Sequence, residues 1–240
     1  MNILEIENLH VYIGHFYIIQ GISFNVPEDK CVALLGRNGA GKTTTLKSII
    51  GIIPPSSGSI RFAGKQIAGL PSYQIARMGI GYIPDASKRV FPNLTVEENL
   101  KVALIKGKEI DEEKRLKMVY DIFPDLKRLR KLKAKALSGG QQQMLNIGRG
   151  IVSSNNKLLL IDEPTEGLSP LFVRKIMEAF IRIKEQKIPM LLVDGNLDLI
   201  KEIADECIIM SDGKIVQSGK TEELLEDKEL IKRYLAVTTS

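Results

Sequence analysis

Hydrophobic and polar side chains alternate over residues 3–9 and again over residues 18–26, a pattern typical of strands with one buried face. The two runs predict antiparallel strands at the start of the chain. Residues 31–35 are all apolar and predict a strand that is buried on both faces. Apolar spacing over residues 42–50 predicts a helix that stops at Gly51.

Only helical patterns occur between about residues 86 and 137. Thr95 and Glu98 have the spacing of a capping box, in which each side chain binds a backbone N–H group at a helix start. Two further helices are predicted over residues 111–123 and 125–132. We interpret residues 86–137 as a helical subdomain inserted into a single domain that spans residues 1–240.

Strands and helices alternate on both sides of this stretch. Apolar runs predict strands at residues 59–62, 80–83, 158–161 and 190–193. Helical patterns lie at residues 170–186 and 197–204, and Asp212-Gly213 indicates a hairpin turn. Buried strands that alternate with helices indicate an α/β fold with a mostly parallel sheet and helices on both faces.

Composition excludes several classes of protein. The chain has 240 residues, of which 44% are hydrophobic and 26% charged, as in an ordinary globular protein. Its 2 cysteines lie far apart, so a disulfide framework is not expected. No apolar run approaches the ~20 residues of a membrane-spanning helix, and the N-terminus lacks the pattern of a signal peptide. We expect a cytoplasmic protein. A net charge of +5 permits an anionic partner without identifying one.

The strongest chemical motif lies between the buried strand and the first helix. It is the run Gly36-Arg37-Asn38-Gly39-Ala40-Gly41-Lys42-Thr43, which matches G-x-x-x-x-G-K-[ST]. Glycines and a helix N-terminus let backbone N–H groups approach phosphate oxygens. Lys42 would reach the β- and γ-phosphates and Thr43 would ligate Mg²⁺. We include Thr44, the next residue of the helix, in this nucleotide-binding set.

Two further motifs complete the pattern. The apolar strand at residues 158–161 ends in Asp162, which would hold Mg²⁺, and Glu163, which would act as the general base. Ser138, Gly139, Gly140 and Gln141 begin a helix and offer a second anion-binding surface. In isolation, the acidic pair would be structural and the Ser-Gly-Gly-Gln run a capped helix start. Their order along the chain favours the functional interpretation.

Together these motifs resemble those of the ATP-binding-cassette (ABC) ATPases over essentially the whole chain. Residues 36–43 resemble Walker A, 158–162 Walker B and 137–141 the ABC signature. Residues 90–100 and 162–170 are similar to the ATPase subunits of branched-chain amino-acid importers, in which a small residue, here Ser169, replaces the usual D-loop aspartate. The resemblance implies the P-loop ABC fold, with an N-terminal antiparallel β-subdomain, and ATP and Mg²⁺ as cofactors.

The resemblance also implies a reaction and its partners. The expected reaction is ATP hydrolysis coupled to import. The expected partners are a second ATPase subunit, either a copy or a similar chain, whose signature completes the site, and transmembrane permease subunits that hold the chain on the membrane. Asp85 to Leu100 would dock the permease, with Phe91 and Leu94 at its centre. Alternatives are lipid or lipopolysaccharide transport, a soluble nucleic-acid protein, which we disfavour, and a nucleotide-gated interaction module.

Three positions depart from the family pattern. Asp85 stands at the Q-loop, where it would still offer an oxygen to Mg²⁺. Gly195 stands at the switch-histidine position and offers no side chain, so slow turnover is expected unless Asp194 or Asn196 compensates. Ile13 aligns with the aromatic residue that stacks on adenine in the family. Either Tyr12 or Phe16 would take that role, or the adenine would meet only an apolar surface.

The run from Lys127 to Lys135 is densely basic. It would contact anionic lipid or nucleic acid, or it is the solvated face of a helix whose apolar side carries Leu126, Leu129 and Leu132. We favour the solvated face. No aromatic residue interleaves with the run, so a nucleic-acid partner is not expected.

Overall fold

A computed structural model describes residues 1–85, 90–104, 111–153 and 157–235. Its described strands form two sheets. The first sheet is antiparallel and has the order β2-β1-β4-β5. Its strands are β1 (Asn2–Ile13), β2 (Phe16–Pro27), β4 (Ser57–Phe62) and β5 (Lys65–Gln66). Ile6 pairs with Phe24 on one side and Ile60 on the other, so the alternating pattern of the sequence gives this sheet its buried face. The antiparallel N-terminal strands are confirmed, whereas the short β5 was not predicted.

The second sheet has six strands in the order β10-β9-β3-β8-β7-β6. They are β3 (Cys31–Leu35), β6 (Ile80–Ile83), β7 (Leu158–Asp162), β8 (Met190–Val193), β9 (Glu206–Ser211) and β10 (Lys214–Lys220). β3, β6, β7, β8 and β9 are parallel, and β10 pairs antiparallel with β9. The mostly parallel sheet is therefore confirmed.

Ten α-helices lie in the described ranges. They are α1 (Lys42–Ile49), α2 (Ser72–Met78), α3 (Val96–Ala103), α4 (Glu112–Ile122), α5 (Pro124–Arg128), α6 (Gly139–Ser153), α7 (Pro170–Glu185), α8 (Leu197–Ile203), α9 (Thr221–Glu226) and α10 (Lys228–Tyr234). The capping box of α3 is confirmed, because the Thr95 side chain accepts from the Glu98 N–H while Glu98 accepts from the Thr95 N–H. α2 was not predicted. None of the described helices has the length and apolar character needed to cross a bilayer.

The helix predicted over residues 125–132 is wrong in its second half. α5 ends at Arg128. Beyond it the backbone turns to meet the chain before α3, where the Val96 N–H donates to Leu132 O (2.9 Å) and the Ala134 N–H donates to Leu94 O (2.9 Å). Backbone groups used in this pairing cannot also continue a helix.

The two faces of β3 enter different cores. Cys31, Ala33 and Leu35 pack with apolar residues of α6, α7 and α8. Val32 and Leu34 pack against α1 and the antiparallel sheet. The predicted helices on both faces are confirmed, because α6, α7 and α8 lie on one face and α1 on the other, where the antiparallel sheet also packs. Burial on both faces explains why β3 reads as an uninterrupted apolar run.

Candidate functional site

Four neighbouring strands end at the same edge of the parallel sheet. In the order β3, β8, β7 and β6 they lead into Gly36, Asp194, Glu163 and Pro84-Asp85 respectively. Ligands of open α/β sheets bind beyond the carboxyl ends of parallel strands. The topology thus collects the predicted chemical groups at one edge.

The loop after β3 approaches its neighbours too closely for side chains at two glycines. A Cβ atom at Gly36 would lie 2.3 Å from the Met210 carbonyl oxygen, and one at Gly41 would lie 2.6 Å from Ile19 Cδ1. Both residues also have positive φ angles, 145° and 105°. Glycine is therefore required for the loop to fold back over the start of α1.

Lys42 folds its ammonium group into this loop. Its Nζ donates to Gly36 O (2.8 Å) and Arg37 O (3.1 Å). Burial lowers the pKa of Lys42, while the charges of Glu163 and Asp162 oppose that shift. The loop thus holds a partly desolvated cation with neutral acceptors, a position from which it can turn towards a phosphate.

Asp162 connects the loop to the end of β7. Thr43 Oγ1 donates to Asp162 Oδ1 (2.9 Å), and the Tyr82 hydroxyl donates to Asp162 Oδ2 (3.1 Å). Burial raises the pKa of Asp162, the two hydrogen bonds oppose the shift, and the charge of Asp85 adds to it. The structure thus joins two of the three predicted metal ligands, Thr43 and Asp162, while the third, Asp85, acts on Asp162 through its charge. A buried carboxylate beside a hydroxyl suits Mg²⁺, which takes few protein ligands and completes its shell with phosphate oxygens and water.

Glu163 is held in an uncommon backbone conformation. Its φ angle is 45°, and its N–H donates to Val193 O (2.7 Å) at the end of β8. Burial, together with the hydrogen bond and charge of Glu166, raises the pKa of Glu163 to about 7. A carboxyl group with such a pKa is suited to accept a proton near neutral pH.

Two adjoining cavities lie over this edge. One, of about 360 Å³, is lined by Ile18, Asn38, Gly39, Gly41, Lys42, Thr43, Thr44 and Glu163. The other, of about 510 Å³, is lined by Gly36, Arg37, Asn38, Lys42, Glu163, Gly195 and Leu235. Nearly all of the predicted loop residues therefore meet Glu163 at these cavities. Ala40 is the exception, since it is buried in the core.

Gly195 lies at the second cavity, but the side chains of Asp194 and Asn196 on either side of it form hydrogen bonds elsewhere. Asp194 accepts from the Thr165 N–H (3.0 Å) and hydroxyl (2.8 Å), and Asn196 caps α8 by accepting from the Leu199 N–H (3.0 Å). The compensating role expected of Asp194 or Asn196 is therefore not supported. A Cβ atom at Gly195 would meet nothing within 4 Å, so a side chain there would have room.

The predicted signature residues lie at the start of α6 and line neither cavity. Ser138 and Gln141 cap the helix reciprocally, with Ser138 N–H donating to Gln141 Oε1 (3.0 Å) and Gln141 N–H donating to Ser138 Oγ (3.4 Å). A Cβ atom at Gly140 would lie 2.1 Å from the Phe172 ring of α7. Ser138 and Gly139 remain exposed, where a second chain can reach them.

The predicted adenine-stacking residues are not at the cavities either. The Tyr12 ring stacks on Tyr17 with centroids 4.5 Å apart, and Ile13 and Phe16 are exposed at the turn between β1 and β2. Ile18 is the residue of β2 that reaches the cavity.

Sequence reasoning missed three residues of the site. Tyr82 was read only as part of a strand, although its place three residues before Asp85 put it beside β7. Ile18 and Leu235 come from the first and last parts of the chain, and no local pattern marks them. Their placement follows only from tertiary packing.

Comparison with known proteins identifies the family to which the chain belongs. The ABC transporter family matches residues 19–166. The branched-chain amino acid transport ATP-binding proteins BraG of Pseudomonas aeruginosa and LivF of Archaeoglobus fulgidus are 35% and 34% identical, over 97% and 98% of this chain and 99% of each relative. The lipopolysaccharide export ATP-binding protein LptB of Haemophilus influenzae is 31% identical over 98% of both chains.

Solved structures agree with this assignment. An ATP-binding cassette of an ABC transporter in its ADP conformation superposes with a TM-score of 0.82, at 26% identity over 97% of this chain and 98% of the other. A nucleotide-free cassette gives a TM-score of 0.84 at 25% identity over 99% of this chain and 100% of the other. The predicted fold is therefore confirmed.

The pairing of Glu163 with Glu166 predicts an altered pH profile in Glu166→Gln. Loss of the neighbouring negative charge lowers the pKa of Glu163, so its basic form persists to lower pH. The acid limb of kcat/KM for ATP should move to lower pH, and activity at about pH 6 should rise relative to about pH 8. The exposed Glu185→Gln is the charge-matched control. An acid limb identical in both variants contradicts the assignment.

The open space at Gly195 predicts a gain of function in Gly195→Gln. A polar side chain there would reach the cavity that holds Lys42 and Glu163, and a fixed contact to the transferring phosphoryl group should raise kcat about tenfold or more. Gly195→Ala adds a methyl group without the polar arm and should stay at the parent rate. Equal kcat values for the two variants would show that no such contact limits turnover.

Proposed function

The chain belongs to the ABC transporter ATP-binding family and hydrolyses ATP, and we propose that it powers a branched-chain amino-acid importer. The observation that carries the assignment of chemistry is the convergence of Lys42, Thr43 and Glu163 on one cavity, with Asp162 bonded to Thr43 beneath it. Two relatives that match over nearly their whole length are named for branched-chain amino acid transport, which supports the substrate class. The import direction rests on the resemblance of residues 90–100 and 162–170.

ATP would bind with its phosphates over the loop of residues 36–43. Lys42 would exchange its two carbonyl acceptors for phosphate oxygens, a stronger charge-assisted interaction. Thr43, Asp162 and Asp85 would hold Mg²⁺, which neutralises charge on the β- and γ-phosphates when bound. Glu163 would accept a proton from the attacking water.

A second ATPase subunit would complete the site. Ser138 and Gly139 are exposed at the N-terminus of α6, and that end of a helix favours an anion. They line neither cavity of their own chain, so the γ-phosphate that they contact would be one bound to the partner. ATP then joins two subunits, and hydrolysis releases them, because the ligand binds the closed state more tightly.

The surface around Phe91 would dock a permease subunit. Phe91 is 45% exposed, and the Arg149 guanidinium lies over its ring at 4.8 Å. Buried Asn99 holds the Phe91 backbone on both sides, since it accepts from the Phe91 N–H (2.8 Å) and donates to Phe91 O (3.0 Å). Part of the predicted docking segment, residues 86–89, lies outside the described residues. We define Phe91 and Leu94 as the docking surface.

This docking fits a single cassette at residues 1–240, in which the helical stretch at 86–137 acts as a subdomain. The chain would then lie peripherally on the cytoplasmic face of the membrane, with no nucleic-acid partner. Lipopolysaccharide export is the second candidate, because LptB relatives match at 30–31% identity over most of the chain.

Uptake of labelled leucine, isoleucine and valine tests the proposal in cells that lack this chain. The wild-type gene should restore uptake. Phe91→Asp should not, since it places a charge on the docking surface. Ile52→Asp alters a similarly exposed apolar residue in the turn after α1 and should restore uptake. If cells that lack this chain take up these amino acids normally but lose surface lipopolysaccharide, the second candidate is favoured instead.

A further inference from the structure

We propose that a basic strip beside the docking surface binds the phosphate-bearing headgroups of an anionic bilayer. The basic strip is defined as Lys127, Arg128, Arg130, Lys131, Lys133 and Lys135. This inference rests on the proposed function, because docking to a permease is what would bring the strip to the membrane surface.

The strip concentrates the charge of the whole molecule. Residues 125–135 contain six basic side chains and one acidic side chain, a net charge of +5. The net charge of the entire chain is also +5, so the rest of the chain is electrically balanced. Such an excess along the chain attracts an anionic surface, whereas the remainder of the chain carries no net charge.

Backbone hydrogen bonds fix the strip next to the docking surface. The Ala134 N–H donates to Leu94 O (2.9 Å), and the Lys135 N–H donates to Pro92 O (3.0 Å). The Glu97 N–H donates to Arg130 O (3.1 Å), which extends the pairing in the other direction. Any surface that lies over Phe91 and Leu94 therefore has the strip at its border.

The side chains of the strip are available to a ligand. Lys127, Arg128, Arg130, Lys131, Lys133 and Lys135 are all exposed. Of these six side chains, only Arg128 forms an ion pair within the described residues, and its partner is Asp125. Leu126 and Leu129 pack on the core as the solvated helix face requires, but that interpretation does not extend beyond Arg128, where α5 ends and Leu132 is 47% exposed. An exposed leucine among lysines suits a bilayer interface, where the apolar side chain can enter the headgroup region.

Nucleic acid is a poorer occupant of the strip. Sequence-tolerant binding of single strands relies on aromatic platforms between basic residues, and residues 125–135 contain no aromatic residue. The exposed ring of Phe91, on the adjoining docking surface, already lies against the Arg149 guanidinium.

Vesicle co-sedimentation of the full chain tests the proposal. The probes are vesicles of phosphatidylcholine alone and of phosphatidylcholine with phosphatidylglycerol, at low and high salt. We expect binding only to the anionic vesicles, weakened by salt. The triple variant Lys131→Gln, Lys133→Gln and Lys135→Gln should bind the anionic vesicles roughly a hundredfold less tightly. The reason is that each lysine near an anionic surface adds a comparable amount to the binding free energy.

The control is Lys65→Gln, Lys187→Gln and Lys201→Gln, which removes the same charge from exposed positions elsewhere and should keep most of the binding. Equal loss in the two triple variants, or equal binding to neutral and anionic vesicles, overturns the proposal. The proposal is also overturned if the wild-type chain binds RNA and only the variant of Lys131, Lys133 and Lys135 loses that binding. The assay contains no permease, so its failure leaves the docking result with Phe91→Asp unaffected.

Discussion

The parallel pairing of β3, β8, β7 and β6 is the constraint on which the site depends. Parallel strands end at the same edge, so the loop at residues 36–43, Gly195, Glu163 and Asp85 converge although they are far apart in the sequence. The Thr43–Asp162 hydrogen bond then joins the loop at residues 36–43 to the end of β7. Loss of register between β3, β8 and β7 would separate the cation from the carboxylates that act with it.

The end of β8 supports Glu163 from two directions. Val193 O accepts the Glu163 N–H, while Asp194 accepts from both the N–H and the hydroxyl of Thr165. These contacts stabilise a backbone conformation that a glutamate seldom adopts and fix the carboxyl group over the cavity. Asp194 is thereby a structural residue. Residues 194–196 therefore place no polar side chain at the second cavity, where only Gly195 lies. Because no side chain there can contact the transferring phosphoryl group, we expect slow turnover.

Local patterns predicted most of this arrangement. Alternation and apolar runs located β1, β2, β3, β7 and β8, because strand burial is written directly into residue order. The glycines and Lys42 were predictable since phosphate binding demands them at fixed spacing. The end of α5 was not, because tertiary hydrogen bonds to residues 92–97 override its helical pattern. The Tyr82–Asp162 bond and the Glu163 pKa depend likewise on contacts between separate segments.

The most direct test of the account is Mg²⁺-dependent ATP hydrolysis per chain, measured against chain concentration with Glu163→Gln in parallel. We expect the rate to rise with chain concentration when the chain pairs with itself, or with added partner subunit when it does not. In both cases the rate should vanish in Glu163→Gln while ATP binding persists. Hydrolysis independent of any second subunit, or undiminished in Glu163→Gln, would contradict both the shared site and the role given to Glu163.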